Sequence, residues 1–203
     1  MKGTLFTIGY SGYMINDFIS ELQKHKINVL IDVRSDPFSQ RYPDYNKPNL
    51  ESILKRNGIY YRNYAVEFGA RQEERRFYSL DGCMNFELFV QSEQFKVGER
   101  KIIDSLSQGY HIVLMCAEKD PVQCHRAIMV APQFYRQGYE IIHLMPNGTT
   151  KTQVDVENEL LNIYFPNMNQ LSMLEPQKSE EEVIKDAYRK QNQKIGCRLE
   201  EEI

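Results

Sequence analysis

Short apolar runs along this chain alternate with stretches in which apolar residues recur every three to four positions. Thr4–Ile8 is β-branched and aromatic and runs into Gly9-Tyr10-Ser11-Gly12, which predicts a strand and a turn. Ile15, Phe18, Ile19 and Leu22 follow at helical spacing, and Val29–Val33 is a continuous apolar run broken only by Asp32. That second run has the pattern of a parallel strand covered on both faces. Residues 35–48 read as loop, Leu50–Leu54 as a short helix ending near Asn57-Gly58, and Ile59–Tyr64 as a third strand. Phe86–Val90 and Ile102–Leu106 predict one interrupted helix or two. Ile112–Met115 is a fourth strand, 122–137 a helix kinked at Pro132, and Tyr139–Leu144 a fifth strand. Val154–Phe165 and Glu180–Lys190 complete the pattern as helices, with a Pro- and Asn-containing linker between them. Alternation of this kind predicts an α/β domain of about five mostly parallel strands with helices on both faces. The expected division is residues 1–150 for that domain and 151–203 for a helical extension packed on it.

Composition narrows the function classes. The 203 residues carry a net charge of -3, which excludes a strongly basic nucleic-acid binder on bulk charge. The sign is uneven: 34–76 holds 9 Lys/Arg against 6 Asp/Glu, and 153–203 holds 6 against 11. A mildly basic middle attracts a phosphate-bearing ligand. The Arg- and Tyr-rich stretch there, with Tyr42, Tyr45, Tyr60, Tyr61, Tyr64 and Tyr78, is also the composition with which nucleotides are stacked. Four cysteines, Cys83, Cys116, Cys124 and Cys197, are too few for a disulfide framework, so a reducing cytoplasm is expected. No apolar run approaches the ~20 residues of a membrane helix, no signal peptide is predicted, and no membrane partner is expected.

The candidate chemistry lies past the C-terminal ends of the predicted strands, where ligands bind in open α/β sheets. Three segments fall there: Tyr10 and Ser11 after the first strand, Asp32 and Arg34 after the second, and 116–126 after the fourth. In the last, Cys116-Ala117-Glu118 is followed by the helix-start signal Asp120-Pro121-Val122-Gln123 and then by Cys124-His125-Arg126. A helix N-terminus there would lower a thiol pKa and attract an anion. Glu118 and His125 are candidates for proton transfer. Asp32 is a candidate for orienting a base or a hydroxyl, and Cys116 for a nucleophile. Arg34 and Arg126 are the expected anion holders, with Tyr10, Ser11 and Cys124 lining the substrate site.

Several readings stay open. A phosphatase cradle would need a much shorter loop between Cys116 and Arg126, without two acids inside it. Cys116, Cys124, His125 and His143 are zinc-ligand types, but Cys-x7-Cys-His is not a usual zinc spacing, which disfavours zinc; no metal ligands are assigned. Two thiols as buried small hydrophobes, and Asp32 or Glu118 pinning a loop through an arginine, are the bland alternatives. Tyr13 occupies the last glycine position of Gly-x-Ser-x-Gly, so a serine-hydrolase elbow fails. No nicotinamide or NTPase loop is present, so neither cofactor is expected. The function classes are therefore an enzyme acting on a phosphorylated or nucleotide-type substrate, a noncatalytic nucleotide- or nucleic-acid-binding module, or a metal-binding protein.

Thr7–Ser11, Asp32-Val33-Arg34 with Pro37 and Ser39, Leu114–Glu118 with Cys124-His125-Arg126, and Tyr139–His143 with Gly148 resemble the signature segments of the DUF488 family. The end, Ala187-Tyr188-Arg189 to Lys194-Ile195-Gly196, resembles that of longer bacterial members. Two positions depart: Phe68-Gly69-Ala70 stands where Leu-Gly-Gly is expected, and Met14 where a small polar helix cap is expected. The resemblance implies a Rossmann-like three-layer sandwich in a cytoplasmic bacterial protein. It implies no activity, because the family's function is unknown.

Overall fold

The computed structural model describes residues 2–166 and 179–199. Six strands form one sheet: β1 (Thr4–Gly9), β2 (Val29–Asp32), β3 (Tyr60–Asn63), β4 (Ile112–Cys116), β5 (Glu140–Leu144) and β6 (Thr150–Thr152). Their order is β3-β2-β4-β1-β5-β6. The first five run parallel, and β6 pairs antiparallel with β5. β6 reads Thr-Lys-Thr, with no apolar pattern to announce it, and it straddles the boundary expected at 150/151.

Helices cover both faces. On one lie α1 (Ile15–Lys24) and α2 (Lys47–Arg56). On the other lie α5 (Glu93–Ser107), α6 (Ala131–Arg136), α7 (Gln153–Tyr164) and α8 (Glu180–Ile195), with the single turns α3 (Ala65–Phe68) and α4 (Phe86–Phe89) at the rim. Strand alternation divides the core accordingly: Val29, Ile31 and Val33 of the second strand segment face the α5–α6 side, and Leu30 faces the α1–α2 side. β4, in mid-sheet, is buried at all five positions. α1 has no side-chain cap at Met14, which is exposed. A missing cap costs about 1 kcal/mol, whereas burying Phe18, Ile19 and Leu22 returns roughly 1.5–3 kcal/mol each. Tertiary burial therefore decides this helix. α7 and α8 each start with a reciprocal capping box, Thr152 with Asp155 and Ser179 with Glu182. The expected linker between them falls mostly outside the described residues.

The helix expected over 122–137 is not continuous. Pro121–Gln123 is a 3-10 turn, Cys124 is extended (φ -133°, ψ 133°), and Arg126–Val130 is a π-helical stretch leading into α6. Pro132 sits in the first turn of α6. A prolyl ring has no N–H and collides with the carbonyl four residues back, so the turn before it widens instead of continuing as α. Asp120 does cap the 3-10 turn, accepting from the Val122 amide at 3.1 Å. With Cys124 extended, however, the two residues that follow do not sit on the first turn of a long helix, and the dipole argument for their chemistry lapses.

Candidate functional site

The chain ends of β1 and β4 are laced together. The Tyr10 and Ser11 amides donate to the carbonyls of Cys116 (3.1 Å) and Ala117 (2.9 Å). A side chain at Gly9 would fall on the Glu118 carbonyl oxygen, so only glycine lets the loop close against β1. The loop then doubles back and carries Cys124 and His125 under the end of β4.

Four side chains meet there. Glu118 Oε2 accepts from the thiols of both Cys116 (3.1 Å) and Cys124 (2.9 Å), and Cys116 Sγ lies 3.7 Å from His125 Nδ1. One ligand-type atom from each of Cys116, Glu118, Cys124 and His125 falls within 4.8 Å of every other. His125 Nε2 sits 2.9 Å from the Val33 carbonyl, which can only accept; Nε2 therefore carries a proton, and Nδ1 is the ring nitrogen that faces the cluster. The two thiols and the imidazole are buried, whereas Glu118 is exposed as a residue even though its Oε2 is crowded by sulfur.

The protonation balance follows from this crowding. The Cys124 contact and burial push the Cys116 thiol up. Burial opposes ionisation of Cys124 too, but its contact with Cys116 and the nearby charge of Arg126 outweigh it and hold that thiol below its ordinary value. Burial and Cys124 raise Glu118. Burial alone would lower His125; Cys124 and Glu118 outweigh it and raise it. Three potential anions share one small volume, and they cannot all ionise without a counter-charge.

Arg126 is wholly buried behind the cluster. Its Nη1 and Nη2 donate to the carbonyls of Glu118 and Lys119, and its Nε to Thr7 Oγ1 at 3.3 Å. Asp32 and Arg34 form a separate constellation on the α1–α2 side. Arg34 grips the Asp32 carboxylate side-on through Nε (2.9 Å) and Nη2 (2.6 Å), and the Tyr61 hydroxyl donates to the same carboxylate at 2.8 Å. Nη2 also reaches the Tyr45 carbonyl, while Nη1 is buried without a hydrogen-bond partner. Burial opposes the charge on Arg34, but the Asp32 carboxylate, with a smaller contribution from Tyr10, outweighs it and holds the guanidinium above its ordinary range. Tyr10 is buried, stacked on Tyr45 at 4.4 Å between centroids, with the Arg34 guanidinium 5.1 Å from its ring. The two arginines expected to share an anion thus sit on opposite faces of the sheet, each engaged by protein acceptors.

The sequence predicts one site in which Cys116, Glu118, Cys124, His125 and Arg126 face Asp32 and Arg34; the structure gathers the first four, buries Arg126 behind them and puts Asp32 and Arg34 on the other face of the sheet. The sequence also places His143 among possible ligands, whereas the structure puts that ring behind Arg126, 2.7 Å from Thr7 Oγ1 and 3.1 Å from Gln153 Oε1. The Cys-x7-Cys-His spacing, unusual for zinc, is bridged by the 117–123 loop, which folds back so that both thiols and the imidazole meet. Thr7 and Gln153 went unnoticed; a threonine and a histidine in buried apolar strands were the available signal. Ser11 contributes its backbone N–H.

Among the described residues no helix is long and apolar enough to cross a membrane. No curated protein and no solved structure matches the chain. The family model described as "Domain of unknown function DUF488" matches residues 14–131, more than half of the sequence and the whole of the cysteine-bearing loop. The chain belongs to the DUF488 family.

Proposed function

We propose that this protein is a metalloprotein whose centre is a thiophilic divalent cation held by Cys116, Cys124 and His125, with Glu118 as the fourth, exchangeable ligand. The convergence of four ligand atoms within 4.8 Å of one another carries the reading. Two thiolates, an imidazole and a carboxylate form a donor set suited to zinc. The Nε2–H bond from His125 to the Val33 carbonyl supplies the outer support that metal-binding imidazoles need. The exposure of Glu118 makes the centre catalytic in type: three buried ligands hold the ion, and the accessible carboxylate yields its place to water or substrate. Such a cation supplies Lewis acidity toward a carbonyl or phosphoryl oxygen.

The test is metal analysis of protein purified without added metal and of protein reloaded with zinc. About one equivalent of transition metal is expected, lost in Cys116→Ser/Cys124→Ser. Protein that takes up no zinc after reloading, with its thiols reduced, would sink the proposal.

A second reading draws on Arg34 Nη1, a buried donor without a hydrogen-bond partner beside Tyr10, which an anion would reach only if the Tyr10–Tyr45 side opened. It is an enzyme acting on a phosphorylated or nucleotide-type substrate at the same sheet edge. Thermal melting in the presence of inorganic phosphate or nucleoside monophosphates checks it: a saturable rise in Tm supports it, and an unchanged Tm at millimolar ligand removes it.

A further inference from the structure

Behind the cluster, five consecutive side-chain hydrogen bonds run through the domain interior from Arg126 to Glu157. Arg126 Nε meets Thr7 Oγ1 (3.3 Å), and Thr7 Oγ1 meets His143 Nδ1 (2.7 Å). His143 Nε2 meets Gln153 Oε1 (3.1 Å), Gln153 Nε2 meets the Tyr188 hydroxyl (2.7 Å), and Tyr188 meets Glu157 Oε1 (2.9 Å). Arg126, Thr7, His143, Gln153 and Tyr188 are all buried.

Arg126, which can only donate, and the Ala127 carbonyl, which can only accept from Gln153 Nε2, set the direction of the protons. Thr7 accepts from Arg126, Gln153 Oε1 faces His143 Nε2 as an acceptor, and Nδ1 of the uncharged ring therefore takes the Thr7 hydrogen. The ring is then the neutral Nε2–H tautomer, which donates to Gln153 Oε1. The amide cannot be flipped, because Gln153 Nε2 also donates to the Ala127 carbonyl at 3.1 Å, and a carbonyl only accepts. Tyr188 accepts from Gln153 and donates to Glu157. Burial and the charge of Arg126 push the His143 pKa down to about 3, in keeping with a ring that stays neutral. The donors all point away from the guanidinium and toward a carboxylate, an arrangement in which each bond polarises the next.

The near end of this chain is Arg126, whose other two nitrogens hold the Glu118 and Lys119 carbonyls. We propose that Thr7, His143 and Gln153 are positioning residues: through Arg126 they set the backbone of Glu118 and so keep its carboxylate over the two thiols. The inference rests on the metal-centre reading for its purpose, and its geometry can be tested apart from it. None of the three touches the ligand cluster, and none lies near it in sequence.

Thr7→Val keeps the side-chain shape and removes the hydroxyl, and Thr7→Ser retains the hydroxyl. Cobalt(II) is the probe, read by its visible bands and by titration. Thr7→Val is expected to bind cobalt about 10–100-fold more weakly, the usual cost of losing outer-shell support, with altered band shape; Thr7→Ser restores both. In metal-free protein, Thr7→Val is expected to speed amide exchange in the 117–120 segment about tenfold, and Thr7→Ser to leave it slow. Should Thr7→Val fail to fold, Gln153→Met, at a distance from Arg126, takes its place with the same directions expected. Wild-type protein that binds no cobalt refutes the metal reading, and the exchange comparison alone then decides the positioning role. Loop exchange unchanged in Thr7→Val overturns the inference, and so does faster exchange with unchanged cobalt affinity.

Discussion

The Asp32–Arg34 constellation and the Cys116–Glu118–Cys124–His125 cluster lie at the same edge of one sheet, on opposite faces, and are built on opposite principles. In the first, charges balance: one carboxylate takes two guanidinium nitrogens and a tyrosine hydroxyl, all buried. In the second, three groups that ionise as anions crowd a single imidazole, and one member, Glu118, stands open to solvent. A neutralised pair holds a fold together; an over-supplied donor set is a place for something from outside. Mutations should therefore divide cleanly, with stability lost on one face and ligand affinity lost on the other.

The sharpest break of that division is Asp32→Ala, which leaves Arg34 buried without its carboxylate. A loss of about 3–5 kcal/mol in urea unfolding is expected, with zinc stoichiometry unchanged in whatever remains folded. Tyr61→Phe removes one bond to a charged acceptor and should cost about 1.5–3 kcal/mol by the same measurement. Cys124→Ser, unfolded in the presence of chelator, should cost only about 1 kcal/mol, yet lower zinc affinity at least ~100-fold, beyond what loss of an outer-shell group costs. Wild-type protein should gain about 2.7 kcal/mol at a zinc concentration a hundred times its Kd, a gain that Cys124→Ser forfeits. Glu118→Gln should change stability by no more than about 0.5 kcal/mol and weaken zinc roughly tenfold, because a neutral amide is a poorer ligand. A cluster mutation that destabilised the metal-free fold as much as Asp32→Ala would erase the distinction.

Much of the architecture was legible because β4 is apolar at every position, its neighbours are mostly apolar, and the helices between them keep a clear period. Three features resisted. β6 is held by pairing to β5, and pairing leaves no trace in Thr-Lys-Thr. The break at Cys124 was hidden by a strong helix-start signal, which the structure honours for a single 3-10 turn before the approach to Pro132 requires wider spacing. The residues of the cluster were legible as a group, because thiols, a carboxylate and an imidazole seldom crowd one turn. Their common focus was not, since it depends on how the 117–123 loop packs on Gly9 and on where the Val33 carbonyl lies. Arg126 misled for a related reason: a guanidinium beside reactive groups looks like a ligand holder, and only the burial of its donors shows it to be part of the frame.

The contact at Gly9 has a consequence for how this sequence can vary. The Glu118 carbonyl is at once the acceptor for Arg126 and the atom a ninth-position Cβ would strike. A saturation library at codon 9 should therefore return glycine almost alone, and even alanine should score with the nulls for metal retention. Position 12, a glycine at φ +99° beside Pro146, should tolerate substitution poorly for backbone reasons but without that link to the cluster. In a mutational tolerance map, the strand end 109 positions upstream of Glu118 would then stand out as sharply as the cysteines themselves.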